Sequence, residues 1–147
     1  MAVHPRSPPL GSAPLRSDWP DAPADRHPVG ETAGEISTEI VGLLRSHTGR
    51  GPTQARTTIS SDLIVVTLAG CLTAAEVRLT SLGHGELVSR ARHEFHQGMR
   101  AEATAMVERL TGRQVYAYLT DQEHDPDLAV IVFMLSPPAP LRAVRET

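Results

Sequence analysis

The chain has 147 residues, with 14 Arg, no Lys, 17 Asp+Glu and a net charge of −3 at pH 7. That length fits one domain, since single domains run about 100–200 residues, and a mildly acidic chain lacks the basic footprint of a nucleic-acid binder. One cysteine excludes an intrachain disulfide framework and any zinc site built from several thiolates.

Lys and Asn are both absent, as GC-rich coding would produce, which leaves arginine as the fixed cation. Seven of the 12 prolines fall in residues 1–30 and three more in 137–140. Residues 1–30 show no hydrophobic period, and their three Arg and three Asp cancel. Such a segment buries too little apolar area to offset its ordering entropy and is read as a disordered tail. No apolar stretch of signal-peptide type follows its first charge. Trp19 inside it is either a short docking motif or a stray aromatic in a linker. Residues 137–147 form a second proline-rich tail. The core is therefore 31–136, with 9 Arg against 13 acidic residues. Its longest apolar-biased run, Leu63–Leu72, falls well short of the roughly 18 residues that span a bilayer.

A helix is expected over about 32–48. Thr32 and Glu35 have capping-box spacing, Ile36, Ile40, Leu43 and Leu44 recur at helical intervals, and Gly49 stands just past the end. Gly49-Arg50-Gly51-Pro52 must be a turn. Ala55, Thr57 and Ile59 alternate with polar residues, Ser60–Asp62 makes a tight connection, and Leu63–Leu68 is a β-branched run, so the segment reads as a hairpin. Thr73 with Glu76 opens a short helix that ends near Gly83. A long helix follows at about 86–111, with a buried stripe of Val88, Ala91, Phe95, Met99, Ala103, Met106 and Leu110. Gly98 in its middle marks either close packing or a weak spot. A second hairpin pairs Val115–Leu119 with Leu128–Leu135 across a polar connection, Asp121–Asp127.

The order α-β-β-α-α-β-β predicts an α+β domain whose four-stranded, mainly antiparallel sheet carries its helices on one face. Thr48-Gly49-Arg50 before Asp62-Leu63 matches Thr111-Gly112-Arg113 before Asp127-Leu128, at 13 and 15 residues from Gly to Asp. A duplicated helix–hairpin unit follows as a hypothesis, although tripeptides also recur by chance. Leu63–Leu68 and Leu128–Leu135 are apolar on both faces, where a strand with one exposed side would alternate. Covering the second face calls for another subunit, most simply in a two-fold homodimer.

Several constellations invite chemistry. Gly49, Arg50, Gly51 and Pro52 with Arg56 offer exposed amides and bidentate guanidinium groups to an anion, or else form a helix C-cap and tight turn. Arg92, His96 and Arg100 at i, i+4 and i+8 make a cationic ridge for an anion or acidic partner, or a solvated polar face. Asp125 and Asp127 beside His124 offer an acid/base pair or cation ligands, or simply start the last strand. His84, His93 and His96 lack a convincing ligand spacing, so no metal site and no cofactor are expected. Cys71 reads as a small core residue with no nucleophile context.

Gly34-Glu-Ile-Ser37, Gly49-Arg-Gly-Pro-Thr53 with Ala55-Arg56, Asp62-Leu63, and Leu72-Thr73 with Glu76 form a set with several later segments. Those are Arg92-x-x-Phe95 with Met99-Arg100, Thr111-Gly112-Arg113, and Asp125-Pro126-Asp127 with Ala129-Val130 and Phe133. Together, over about 34–135, they resemble the MpsC-like family, named for a bacterial sodium-translocating, membrane-potential-generating system. His96 and Gly98 depart from the family's usual helix. The resemblance implies a small accessory or regulatory protein tied to sodium or bicarbonate transport. It would be cytoplasmic, peripheral to the membrane through transporter subunits, or a sensor of a small anion at Arg50, Arg56 and Arg113. Arg113 enters as the duplicate of Arg50. The alternative is a small-anion-binding enzyme using the same arginines with Asp125, Asp127 or His124.

Overall fold

A computed structural model describes residues 27–137 and 141–145. The readings of residues 1–26, Trp19 among them, lie outside the described residues. The elements are α1 (His27–Thr48), β1 (Gln54–Ser60), β2 (Leu63–Ala69), α2 (Ala74–Ser81), α3 (Gly85–Gly98), α4 (Arg100–Thr111), β3 (Gln114–His124) and β4 (Asp127–Ser136). The expected α+β order holds, with one helix more than predicted.

The sheet is antiparallel throughout, in the order β1-β2-β4-β3. Burial alternates along the two central strands. Ile64, Val66 and Leu68 on β2 and Ala129, Ile131, Phe133 and Leu135 on β4 are buried, while the residues between them are half-buried; Ala69, at the end of β2, is also buried. A period of two places the buried set on one face. Ile36, Ile40 and Leu44 of α1 and Met99, Ala103, Met106 and Val107 complete that core. Helices α1 and α4 therefore sit on one side of the sheet, with α3 against β3 and α2 packed on α3. Residues 141–145 have no regular structure, and Leu141 and Val144 are almost fully exposed.

Three local expectations need correction. Helix α1 begins at His27, inside the segment read as tail, so Thr32 lies within the helix and not at its N-terminus. The polar run Asp121–His124 is strand, because β3 continues to His124 and the hairpin closes through Asp125 and a cis Pro126 alone. The long helix divides at Met99. The backbone bonds Met99 N–H to Phe95 O and Ala103 N–H to Met99 O carry on through the junction. A side chain at Gly98 would meet only His47 Nδ1 at 3.9 Å, so tight packing does not explain that glycine.

The two helix–hairpin halves correspond in their geometry. A shift of 65 positions carries β2 onto β4, and the pair Val66–Ile131 maps onto itself, so a pseudo-two-fold axis pierces the sheet there. Gly70 N–H bonds Asp127 O, and in the other half Leu135 N–H bonds Asp62 O. The helix ends match as well. Gly49 and Gly112 adopt φ of +80° and +69°, the left-handed conformation that glycine enters without a Cβ penalty. Thr48 Oγ1 donates to Leu44 O at 2.8 Å, and Thr111 Oγ1 donates to Val107 O at 2.7 Å. The second hairpin is longer, and β3 carries a bulge between Val115 and Ala117.

Candidate functional site

Polar groups concentrate where β2 leaves the sheet for α2. Gly70 turns the chain at φ +66°, and a Cβ there would lie 2.1 Å from Thr53 Oγ1, so Thr53 packs directly against it. Thr53 N–H and Oγ1–H both donate to Ala69 O, which docks the Gly49–Thr53 turn onto this corner. The Asp127 carboxylate accepts from Cys71 N–H and Leu72 N–H, each at 3.0 Å. Thr73 and Glu76 form the expected capping box, with Glu76 N–H donating to Thr73 Oγ1 and Thr73 N–H to Glu76 Oε1.

Arg92 closes the corner from α3. Its Nε donates to Glu76 Oε2 at 2.8 Å, its Nη2 to Glu76 Oε1 at 2.6 Å, and Nη2 also to Cys71 O. The Arg92 side chain is 0% exposed and that of Glu76 13%. A buried guanidinium is tolerated because a bidentate carboxylate compensates it. Cys71 sits inside this ring of bonds. Burial first, then the Asp127 carboxylate, pushes its thiol pKa up to about 12, so it stays a neutral thiol.

A polar seam runs from this corner between α3 and β3. His124 packs on Gly85 at one end, and Tyr118 OH donates to His96 O at 2.8 Å at the other. The helix therefore runs antiparallel to the strand. Arg92 and His96 line the seam from the helix, and Tyr118, Thr120, Gln122 and His124 share the inner face of the strand. Arg92 Nη1, His96 Nε2, Thr120 Oγ1, Gln122 Oε1 and His124 Nδ1 are buried without a hydrogen-bond partner among the described residues. Burial, with Arg92 next in weight, pulls the His96 pKa down to about 4, so its imidazole is neutral at pH 7.

These placements redistribute the predicted site residues. The ridge of Arg92, His96 and Arg100 does not exist. Arg92 and His96 are buried and Arg100 is exposed at the start of α4. The buried stripe runs through Arg92 and His96, and the expected Ala91, Phe95 and Leu110 are only half-buried. Gly49 and Arg50 are exposed, while Gly51 and Pro52 are half-buried. The turn stands at the C-terminus of α1, where carbonyls and the negative dipole end face outward, a poor setting for an anion. Arg56 is half-buried on β1. Arg113 donates to Ser61 O, at the β1–β2 turn. That turn is the opposite end of the sheet from Arg50, about 20 Å away along a seven-residue strand. Arg50, Arg56 and Arg113 therefore form no common site. Asp125 is exposed in the hairpin turn, whereas Asp127 spends both oxygens on backbone amides.

Glu76 was legible as a cap but not as the partner of Arg92, which is 16 positions away across the α2–α3 turn. The spacing Val88, Arg92, His96, Met99 is as helical as the apolar alternative, and only the presence of Glu76 decides between them. Elsewhere, Glu31, Gly34, Glu35, Thr38 and Glu39 line a depression of about 490 Å³ along α1, and Glu39 there pairs with Arg109 at 3.1 Å.

The family described as "Na+-translocating membrane potential-generating system (MpsC)" matches residues 29–137, nearly all of the described chain. This chain belongs to the MpsC family. The chain is similar to the uncharacterized protein YbcI of Bacillus subtilis (strain 168), with 30% identity over 107 residues, covering 72% of this chain and 86% of YbcI. No solved structure matches it. Within this MpsC-family fold, the motifs have structural work. Leu72-Thr73 with Glu76, Arg92 and Asp127 meet at one corner, and the two Thr-Gly-Arg segments end equivalent helices. Among the described residues, no helix is long and apolar enough to cross a membrane.

Proposed function

We propose that this chain is a non-enzymatic accessory or regulatory subunit of a sodium-translocating, membrane-potential-generating transport system. It acts from the cytoplasmic side by binding other protein subunits. One observation carries the reading. The residues with the greatest chemical potential, Arg92, Glu76 and Asp127, are bound to one another or to backbone and hold the β2–α2 corner. Groups committed this way stabilise a shape, and a shape is what a docking subunit presents. The family description supplies the transport context.

The test is recovery of partners from native membranes. The tagged full chain, expressed at its normal level, is isolated after mild detergent extraction and its companions are quantified. Enrichment of the subunits of a sodium-translocating system, lost in a Glu76→Gln chain that unfolds the corner, is the expected result. Failure to enrich any transport subunit over repeated preparations overturns the proposal.

A further inference from the structure

We propose that a second copy of this chain packs face to face on the helix-free side of the sheet, about a two-fold axis lying parallel to the strands. Directly paired residues point to the same face, so the helix-free face is a grid of rows. One row reads Arg56, Thr67, Val130, Asp121 across β1, β2, β4 and β3. The row on one side of it reads Gln54, Ala69, Leu128, Glu123, and the row on the other side Thr58, Val65, Val132, Leu119.

The two central columns of this grid are almost wholly apolar. Leu63, Val65, Val130, Val132 and Met134 stay half-buried with no helix above them, and Leu119 beside them is 58% exposed. Charge sits only at the edges and is divided by sign. Arg56 lies on the β1 edge, and Asp121 and Glu123 lie on the β3 edge, in the same row and the next.

A two-fold axis along the strands lays β1 of one copy over β3 of the other and keeps each row opposite itself. Arg56 then faces the acidic pair Asp121 and Glu123 of the second copy. The symmetry makes that contact twice, at both rims of an apolar centre. Facing sheets stand about 10 Å apart, a gap that an arginine and a carboxylate side chain close together. A two-fold axis across the strands would instead lay β1 over β1 and set Arg56 against Thr58 and Ser60. The charge pattern thus selects both the occupant, a second copy, and its orientation. This inference does not depend on the transport reading.

The test is a charge exchange read by analytical ultracentrifugation at tens of micromolar chain. The wild-type chain should sediment as a dimer. Arg56→Glu alone, and Asp121→Arg/Glu123→Arg alone, should each weaken dimerisation about tenfold or more, because each sets like charges against each other at both rims. Mixing the two variants should restore the dimer, since every rim contact in the heterodimer is again attractive. A second readout keeps the native charges. In Thr58→Cys/Leu119→Cys the two thiols lie three strands apart within a chain, roughly 14 Å. A bismaleimide too short for that span should join them only between copies. A monomeric wild type, a dimer indifferent to the charge changes, a mixture that stays monomeric, or no covalent dimer from the cysteine pair would each overturn the proposal.

Discussion

Replacing Glu76 by Gln tests the buried corner most directly. The substitution keeps the shape of the side chain and leaves one oxygen for the capping bond from Thr73 N–H, which is 2.9 Å long. It removes the negative charge facing Arg92, and with that oxygen kept at Oε1 it turns an NH₂ group towards the Arg92 Nε–H donor that Glu76 Oε2 now accepts at 2.8 Å. Arg92 is fully buried and finds no alternative carboxylate in the corner other than Asp127, which already accepts from two amides. An uncompensated buried charge of this kind costs about 3–5 kcal/mol. For a domain of this size, that lowers the melting temperature by roughly 13–22 °C. Losing only the cap, as in Thr73→Ala, costs about 1 kcal/mol. Arg92→Met combined with Glu76→Gln removes both charges, so the pair should cost less than the sum of the single changes by roughly 2 kcal/mol. Urea unfolding followed by far-UV circular dichroism at fixed chain concentration measures all four. A Glu76→Gln cost below about 1 kcal/mol, or full additivity in the cycle, would refute the role given to the pair.

Three other outcomes follow from the same geometry. His96 has a pKa of about 4 in the folded chain against 6.5 unfolded, so below pH 6.5 the unfolded state binds more protons and stability falls until about pH 4. Between pH 7 and pH 5 this one group should remove about 2 kcal/mol, and His96→Gln should flatten that part of the stability profile; an unchanged profile would exclude the assignment. Asp127→Asn leaves one of two backbone amides without its acceptor and should cost about 1–3 kcal/mol, whereas Asp125→Asn, exposed in the turn, should stay within about 0.5 kcal/mol by the same urea titration. Gly98→Ala should raise stability by about 0.4–1 kcal/mol, since its nearest neighbour is 3.9 Å away. Gly70→Ala should be strongly destabilising in thermal melts, because the new methyl collides with Thr53 at 2.1 Å in a left-handed backbone.

Much of the architecture was legible in the residues. The alternation of Ala55, Thr57 and Ile59, the capping box at Thr73 and the two Thr-Gly-Arg segments all reflect local rules, and each is realised in the fold. The near-equal spacing of those segments from Asp62 and Asp127, 13 and 15 residues, even announced the pseudo-symmetry. Partners across space were not legible. Arg92 and His96 read as a wet ridge because charged groups are seldom buried, and the exception depends on Glu76, which only the α2–α3 turn brings within reach. Thr32 misled for a related reason. Capping-box spacing inside a helix is indistinguishable by sequence from the same spacing at its start, and α1 begins five residues earlier. The anion site assembled from Arg50, Arg56 and Arg113 failed because equivalence under a two-fold axis through the sheet sends equivalent residues to opposite ends.

That axis also bears on how the chain finds its fold. Each hairpin closes through a two-residue turn, Ser61–Asp62 or Asp125–Pro126, so its ladder joins near neighbours. Long-range strand pairing is confined to the single seam β2–β4, whose partners are 59 to 71 positions apart. Loop-closure entropy is therefore concentrated in one encounter between two locally made halves. The segment that spans that encounter, α2 with α3, carries the Glu76–Arg92 bond and ties itself to the seam at Asp127. The asymmetric insertion is thus the link between two symmetric halves, and the Glu76–Arg92 bond lies wholly within it.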